Sequence, residues 1–232
     1  MIMEIYGIAL ALALAMAPVA HADSMDLTSI KAIAISGDAS RTHVSTNADA
    51  AYRIETGSDR GGWFSHWYSI WSWNICRDVS RMHVEGTTLY IDTGSSSWLD
   101  RSDCRAEIDA NVPAGATVEI DQQALDVKLD GDFARVRIAV RAGDISLNGH
   151  ASALAIKGEA LQARLSYDKV LRDEVVAIDA KLVDAYVDFG RDTPLEYSVA
   201  AMASSVDSAR PSVTGARPSI DIKGMLVSAT IR

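Results

Sequence analysis

Gly115-Ala-Thr-Val-Glu-Ile-Asp-Gln-Gln123, Ala124-Leu-Asp-Val-Lys-Leu-Asp-Gly-Asp132, Phe133-Ala-Arg-Val-Arg-Ile-Ala-Val-Arg141, Ala142-Gly-Asp-Ile-Ser-Leu-Asn-Gly-His150, Ala151-Ser-Ala-Leu-Ala-Ile-Lys-Gly-Glu159 and Ala160-Leu-Gln-Ala-Arg-Leu-Ser-Tyr-Asp168 follow one another without insertion or deletion. The fourth position of each unit holds Val118, Val127, Val136, Ile145, Leu154 and Ala163, and the sixth holds Ile120, Leu129, Ile138, Leu147, Ile156 and Leu165. Between them stand Glu119, Lys128, Arg137, Ser146, Ala155 and Arg164. Apolar, mostly polar, apolar is the period-two mark of a short strand with one buried face. Gly131, Gly149 and Gly158 share the eighth position, where the chain must turn. A short strand and a corner, repeated, bury their inward side chains only by stacking on their neighbours. The expectation is an all-β, single-domain β-solenoid with nine-residue strand-turn repeats over 115–168. The alternative is an antiparallel β-sandwich or meander, whose loops usually vary in length.

The same phrase recurs outside the block. Ile33-Ala-Ile35-Ser-Gly37 lies near the start of the chain and Ile220-Asp-Ile222-Lys-Gly224 near its end. Val176-Ala-Ile178 and Ala185-Tyr-Val187 resume the pattern after an interruption at Arg172-Asp173-Glu174. Pro, Ser and Ala enrich 193–218, which reads as a loose excursion before the last strand.

These residues resemble a bacterial putative-adhesin family of β-strand-repeat domains, related to autotransporter adhesin heads and to domains of unknown function. Ile30-Lys-Ala-Ile33-Ala-Ile35-Ser-Gly37, Tyr52-Arg-Ile54 and Gly86-Thr-Thr-Leu89-Tyr-Ile91 carry the resemblance at the front. Val112-Pro-Ala-Gly115-Ala-Thr-Val118 and Gly143-Asp-Ile145-Ser-Leu147-Asn-Gly149 carry it in the middle. The resemblance implies an envelope-associated repeat protein and supplies no catalytic residues.

Composition narrows the function. The chain has 232 residues, enough for one domain with a real core, and 48% of them are apolar. Its 22 basic residues against 31 acidic ones give a net charge of −9. Nucleic-acid binding requires clustered Lys and Arg, so that partner is not expected. Residues 1–22 differ from the rest: Ile5 to Val19 is almost wholly apolar and leads into Ala20-His21-Ala22. That is an Ala-x-Ala cleavage pattern, and the apolar run is short for a membrane span. Residues 1–22 therefore read as a signal peptide cleaved near Ala22/Asp23, although Glu4 stands where a Lys or Arg is usual. The domain then covers 23–232, exported to the periplasm or the cell surface. Cys76 and Cys104 are the two cysteines, and in an oxidising compartment an even count reads as a disulfide.

The most unusual segment runs from Gly61 to Cys76 and holds Trp63, Phe64, Trp67, Tyr68, Trp71 and Trp73, with Trp98 further on. Such aromatics form either a cap over an open solenoid end or a binding face for a glycan, a protein or a membrane surface. Asp126, Asp130, Asp132, Asp144, Glu159 and Asp168 recur along the repeat, at corners or on the outward face where acids are solvated. The five histidines show no His-x-x-x-His spacing, and neither Gly-Gly-x-Gly-x-Asp nor Gly-x-Ser-x-Gly occurs. No catalytic, cofactor or metal residue is assigned. The functional expectation is a non-enzymatic, adhesin-like binding or scaffold module of the envelope. The alternative is a polysaccharide-active enzyme on a β-helix scaffold, which would need acids converging in one groove.

Overall fold

A computed structural model describes residues 25–60, 80–94 and 104–232. The chain is all-β, with no helix among the described residues. The strands are β1 (Met25–Asp26), β2 (Ala32–Ser45), β3 (Arg53–Arg60), β4 (Arg81–Glu85) and β5 (Thr88–Thr93), then β6 (Cys104–Asn111) and β7 (Ala116–Tyr167), and finally β8 (Val175–Asp188), β9 (Glu196–Ser208) and β10 (Ser219–Ile231). They form one open sheet in the order β1-β3-β6-β2-β7-β8-β10-β9, with β5 pairing both β2 and β4.

The pairing is mixed, and the mixture is regional. From β2 through β7, β8 and β10 to β9 every neighbour is parallel. At the other end β3 runs antiparallel to β1 and to β6, and β4 runs antiparallel to β5. Neither a uniform nine-residue coil nor an antiparallel meander describes the whole sheet.

At roughly 3.3 Å per residue, β7 drawn straight would reach about 170 Å. It does not run straight. Arg137 Nη1 meets Glu119 Oε1 at 2.5 Å, Gly115 N donates to Asp132 O at 2.9 Å and Asp168 N to Gly149 O at 3.1 Å. The chain thus returns beside itself about every 18 residues, two nine-residue units per turn. These contacts recur at twice the nine-residue step. A single strand supplies one wall, and a dry interior needs two facing walls.

The inward positions then line up. Ile33, Val118, Leu154, Val176 and Ile220 lie on one wall, tied by the registers Ile33↔Val118, Leu154↔Val176 and Val176↔Ile220. Val127, Ala163, Ala185 and Ala229 lie on the other, with Ala163↔Ala185 and Ala185↔Ala229 in register. All twelve side chains at the fourth and sixth positions of 115–168 are buried, none more than 3% exposed. At ~1.5–3 kcal/mol for a large aliphatic side chain taken out of water, this ladder dominates the stability of the stack.

The eighth-position glycines answer to a second demand besides the turn. Gly149 has φ +136°, and a Cβ there would lie 2.3 Å from the carbonyl oxygen of Gly131 on the adjacent turn. Backbones of successive turns approach too closely at this corner for any side chain.

Residues 193–218 are not one loose excursion. Glu196–Ser208 is a full strand, and β10 inserts between it and β8. Small polar residues such as Ser204 and Ser205, which suggest a loop, occupy the free edge of the sheet, where little burial is required. Only 193–195 and 209–218 are irregular. There Arg210 donates to the carbonyls of Thr193 and Gly190, and Ser212 Oγ bonds to both the N–H and the carbonyl of Tyr197.

Candidate binding surface

Between its two walls each turn bends, and the bends stack into a groove of about 740 Å³. One row along it is aliphatic: Ala142, Ala160, Leu182, Leu226 and Ala203, with Ala160↔Leu182, Leu182↔Leu226 and Leu226↔Ala203 in register. The parallel row two residues on is polar: Asp144, Gln162, Asp184, Ser228 and Ser205. Five neighbouring turns at ~4.8 Å spacing make the groove about 19 Å long. Leu182 and Leu226 are 47% and 54% exposed and stand side by side in register, so they form one apolar patch rather than two scattered residues. Met225 and Met202 precede groove residues in sequence and are also exposed.

The local reason is the corner. Strand alternation places the residues flanking an inward Val183 or Val227 on the outside, so Leu182 and Leu226 face water. Sequence reading left these leucines out, yet a signal was present. In Lys181-Leu-Val-Asp184 and Met225-Leu-Val-Ser228 two adjacent apolar residues break the alternation, and one of each pair must face outward.

The carboxylates singled out in the sequence lie mostly outside and paired. Asp126 accepts from Arg41 at 3.1 Å, Asp144 from Arg164 at 3.0 Å and Glu159 from Lys181 at 3.1 Å, while Asp132 lies 3.7 Å from Lys169. Lys181 holds the Glu159 carboxyl below its ordinary range. Exposed pairs of this kind contribute ~0–1 kcal/mol each and are weakened by salt.

A smaller hollow of about 350 Å³ lies at the antiparallel end, lined by Asn47, Arg53, Glu55, Asp109 and Asn111 among others. Beside it His43 lies between two carboxylates, Nδ1 3.2 Å from Asp109 and Nε2 2.9 Å from Asp130, and Lys128 Nζ is 2.7 Å from Asp130. Partial burial opposes ionisation of Asp130, but the bonds from Lys128 and His43 outweigh it and hold its carboxyl below the ordinary range. A third gathering, at the interruption before β8, brings together His150, Asp173 and Glu174.

The aromatic residues Trp63, Phe64, Trp67, Tyr68, Trp71, Trp73 and Trp98 lie outside the described residues, as does Cys76. Cys104 opens β6 opposite Arg60 of β3.

No protein-family model matches the chain, and no curated protein does. Among solved structures it is similar to a putative adhesin from Bacteroides fragilis, at TM-score 0.48 and 11% identity over 90% of this chain and 95% of that one. It is also similar to a putative cell adhesion protein from Clostridium sporogenes, at TM-score 0.41 and 10% identity over 88% of this chain and 94% of that one.

Proposed function

We propose that residues 23–232 act as a non-enzymatic, adhesin-like binding or scaffold module of the cell envelope. In this reading the fold is a solenoid of 18-residue turns, each made of two nine-residue units, and its working surface is the corner groove. The observation that carries the reading is the groove itself. An aliphatic row and a row of hydrogen-bonding side chains run side by side across five turns, which suits an extended ligand lying along the stack.

Export through the apolar leader 1–22 and its Ala20-His21-Ala22 site belongs to the same proposal. So does a Cys76–Cys104 staple, which on a chain-entropy model would stabilise the fold by about 3–4 kcal/mol. Thiol titration of unreduced protein from the envelope checks the staple: no reactive thiol supports it, and two free thiols rule it out. The aromatic residues from Trp63 to Trp73, with Trp98, are proposed as a second contact face or an end cap.

The groove is tested with a Leu182→Asp, Leu226→Asp double variant. Both side chains are exposed, so the variant should melt with the wild type while losing retention on a glycan array and on envelope extract. Unchanged retention of the variant on every target the wild type binds, or no retention of the wild type at all, would remove the groove from the function.

A further inference from the structure

Leu154 pairs with Val176, a step of 22 residues where the turns within β7 take about 18. The additional chain, 168–174, folds over two buried polar side chains. Glu174 is 0% exposed. Its Oε1 accepts the N–H of Leu171 at 2.5 Å and its Oε2 that of Asp173 at 3.1 Å. His150 is 4% exposed, with Nδ1 3.3 Å from Glu174 Oε1 and 3.2 Å from the carbonyl of Lys169. Its other nitrogen, Nε2, lies 3.2 Å from Ser152 Oγ. Asp173 is exposed and completes the group: one donor atom from each of His150, Asp173 and Glu174 lies within 4.8 Å of the others.

A second observation comes from Tyr167. Its ring is edge-on to His150, with centroids 6.3 Å apart, and stacks on Phe189 at 4.2 Å. The side chain is buried, and its hydroxyl has no hydrogen-bond partner among the described residues. Burial first, and then the negative charge of Glu174, push its pKa up, so it remains a phenol and a donor. A buried hydroxyl without an acceptor calls for an explanation, and a ligand held beside it is one.

We propose that His150, Glu174 and Asp173 bind a divalent transition cation, with Zn²⁺ as the best match. One imidazole and two carboxylates are a ligand set that Zn²⁺ accepts, and the imidazole disfavours Ca²⁺ and Mg²⁺. Ligands at ~2.1 Å from a tetrahedral ion lie roughly 3.4 Å apart. The His150–Glu174 separation of 3.3 Å already meets that spacing. Asp173, on the exposed loop, closes the remaining distance. Nδ1 faces two acceptors, the Glu174 carboxylate and the Lys169 carbonyl, so without an ion it carries the ring proton; ligation takes the other tautomer, with Nδ1 on the ion and Nε2–H donating to Ser152 Oγ. Each carboxylate oxygen has two lone pairs, so Glu174 keeps its bonds to the loop N–H groups while ligating. The site does not depend on the groove or on any adhesin-like role.

The test uses the whole protein stripped of metal by a chelator and titrated with Zn²⁺ in a calorimeter, with Co²⁺ as a spectroscopic substitute. The wild type should take up one Zn²⁺ per chain at the site and melt at a higher temperature with the ion bound. Asp173→Asn, an exposed change, should fold normally and weaken Zn²⁺ at least tenfold, and His150→Gln should abolish uptake. If His150→Gln fails to fold, Asp173→Asn decides by itself. No uptake by the wild type would overturn the proposal. So would uptake that Asp173→Asn leaves unchanged, or that disappears only in His43→Gln, the other histidine set between carboxylates.

Discussion

The middle of the parallel stack and its antiparallel end solve the same problem by different chemistry. From β7 to β10 the interior is an aliphatic ladder, in which Ile120, Ile138, Ile156, Ile178 and Ile222 repeat one role. Such an interior needs no specific partners, since each inward side chain packs on the turn above and the turn below. Towards β2 the ladder turns polar. Thr42 stands in register with Val127, and Ser40, Thr42, Gln122 and Thr93 are all buried. They satisfy one another: Ser40 Oγ bonds Thr42 Oγ1 and Gln122 Oε1, each at 2.8 Å, and Gln122 Nε2 donates to Thr93 Oγ1 at 2.7 Å. Thr93 Oγ1 in turn donates to the Ser36 carbonyl at 3.0 Å. Beyond them Asn111 ties down the chain between β2 and β3. Its Nδ2 donates to the carbonyls of Asn47, Ala50 and Ala51, and its Oδ1 accepts from Ser45 Oγ and Asn47 N. A repetitive interior can be added to indefinitely, whereas an end must be finished once, with particular residues.

That contrast can be broken at its strongest point. Ile138→Asp places an unpaired carboxylate in the dry ladder and should cost upwards of about 4 kcal/mol, enough to unfold the domain. Circular dichroism melting checks it; a cooperative melt near the wild-type temperature would show that the column is not dry. Asn111→Ala sharpens the contrast at the other end. Asn47, Ala50 and Ala51 are exposed, so water can take over part of what the amide supplies; the change should cost ~1 kcal/mol, and the loss should be local. Hydrogen exchange should therefore speed up over 46–52 while β8 and β10 keep their protection. Equal acceleration across all strands would mean that the two regions unfold as one unit.

The smallest effect expected lies where the regions join, at Lys128, His43 and Asp130. Because the carboxyl of Asp130 ionises below its ordinary value of 3.8, its contribution is present above that pH and is lost as the pH falls further. Lys128→Met should thus cost a few tenths of a kcal/mol at neutral pH, after discounting for solvent screening. In denaturant titrations the gap from the wild type should narrow as the pH falls below 3.8 and close in strong acid. A gap that persists in strong acid would place the effect in packing by the lysine stem.

The strands of the repeat were legible because their inward positions are filled by one residue class at fixed spacing. Val118 and Ile120 differ little from Val136 and Ile138, and period-two alternation implies a buried face whatever lies opposite. The strand at Glu196–Ser208 was not legible, because an edge strand with little burial has no need of an apolar pattern. The groove was half legible: Leu182-Val183 and Leu226-Val227 break alternation visibly, but only the bend shows which residue of each pair faces out. His150 and Glu174 are 24 residues apart and share no motif; the four-residue lengthening of one turn brings them together.

By itself, then, the sequence determined the all-β class, the inward positions of 115–168 and the interruption before Val175, since each follows from local alternation and turn chemistry. It could not decide that two nine-residue units make one turn, that β10 slips between β8 and β9, or that one end of the sheet runs antiparallel. Those choices depend on which strands meet, and strand meeting is governed by contacts between residues far apart in the chain. The same inward-facing pattern satisfies several pairings equally well until two walls close on a common interior.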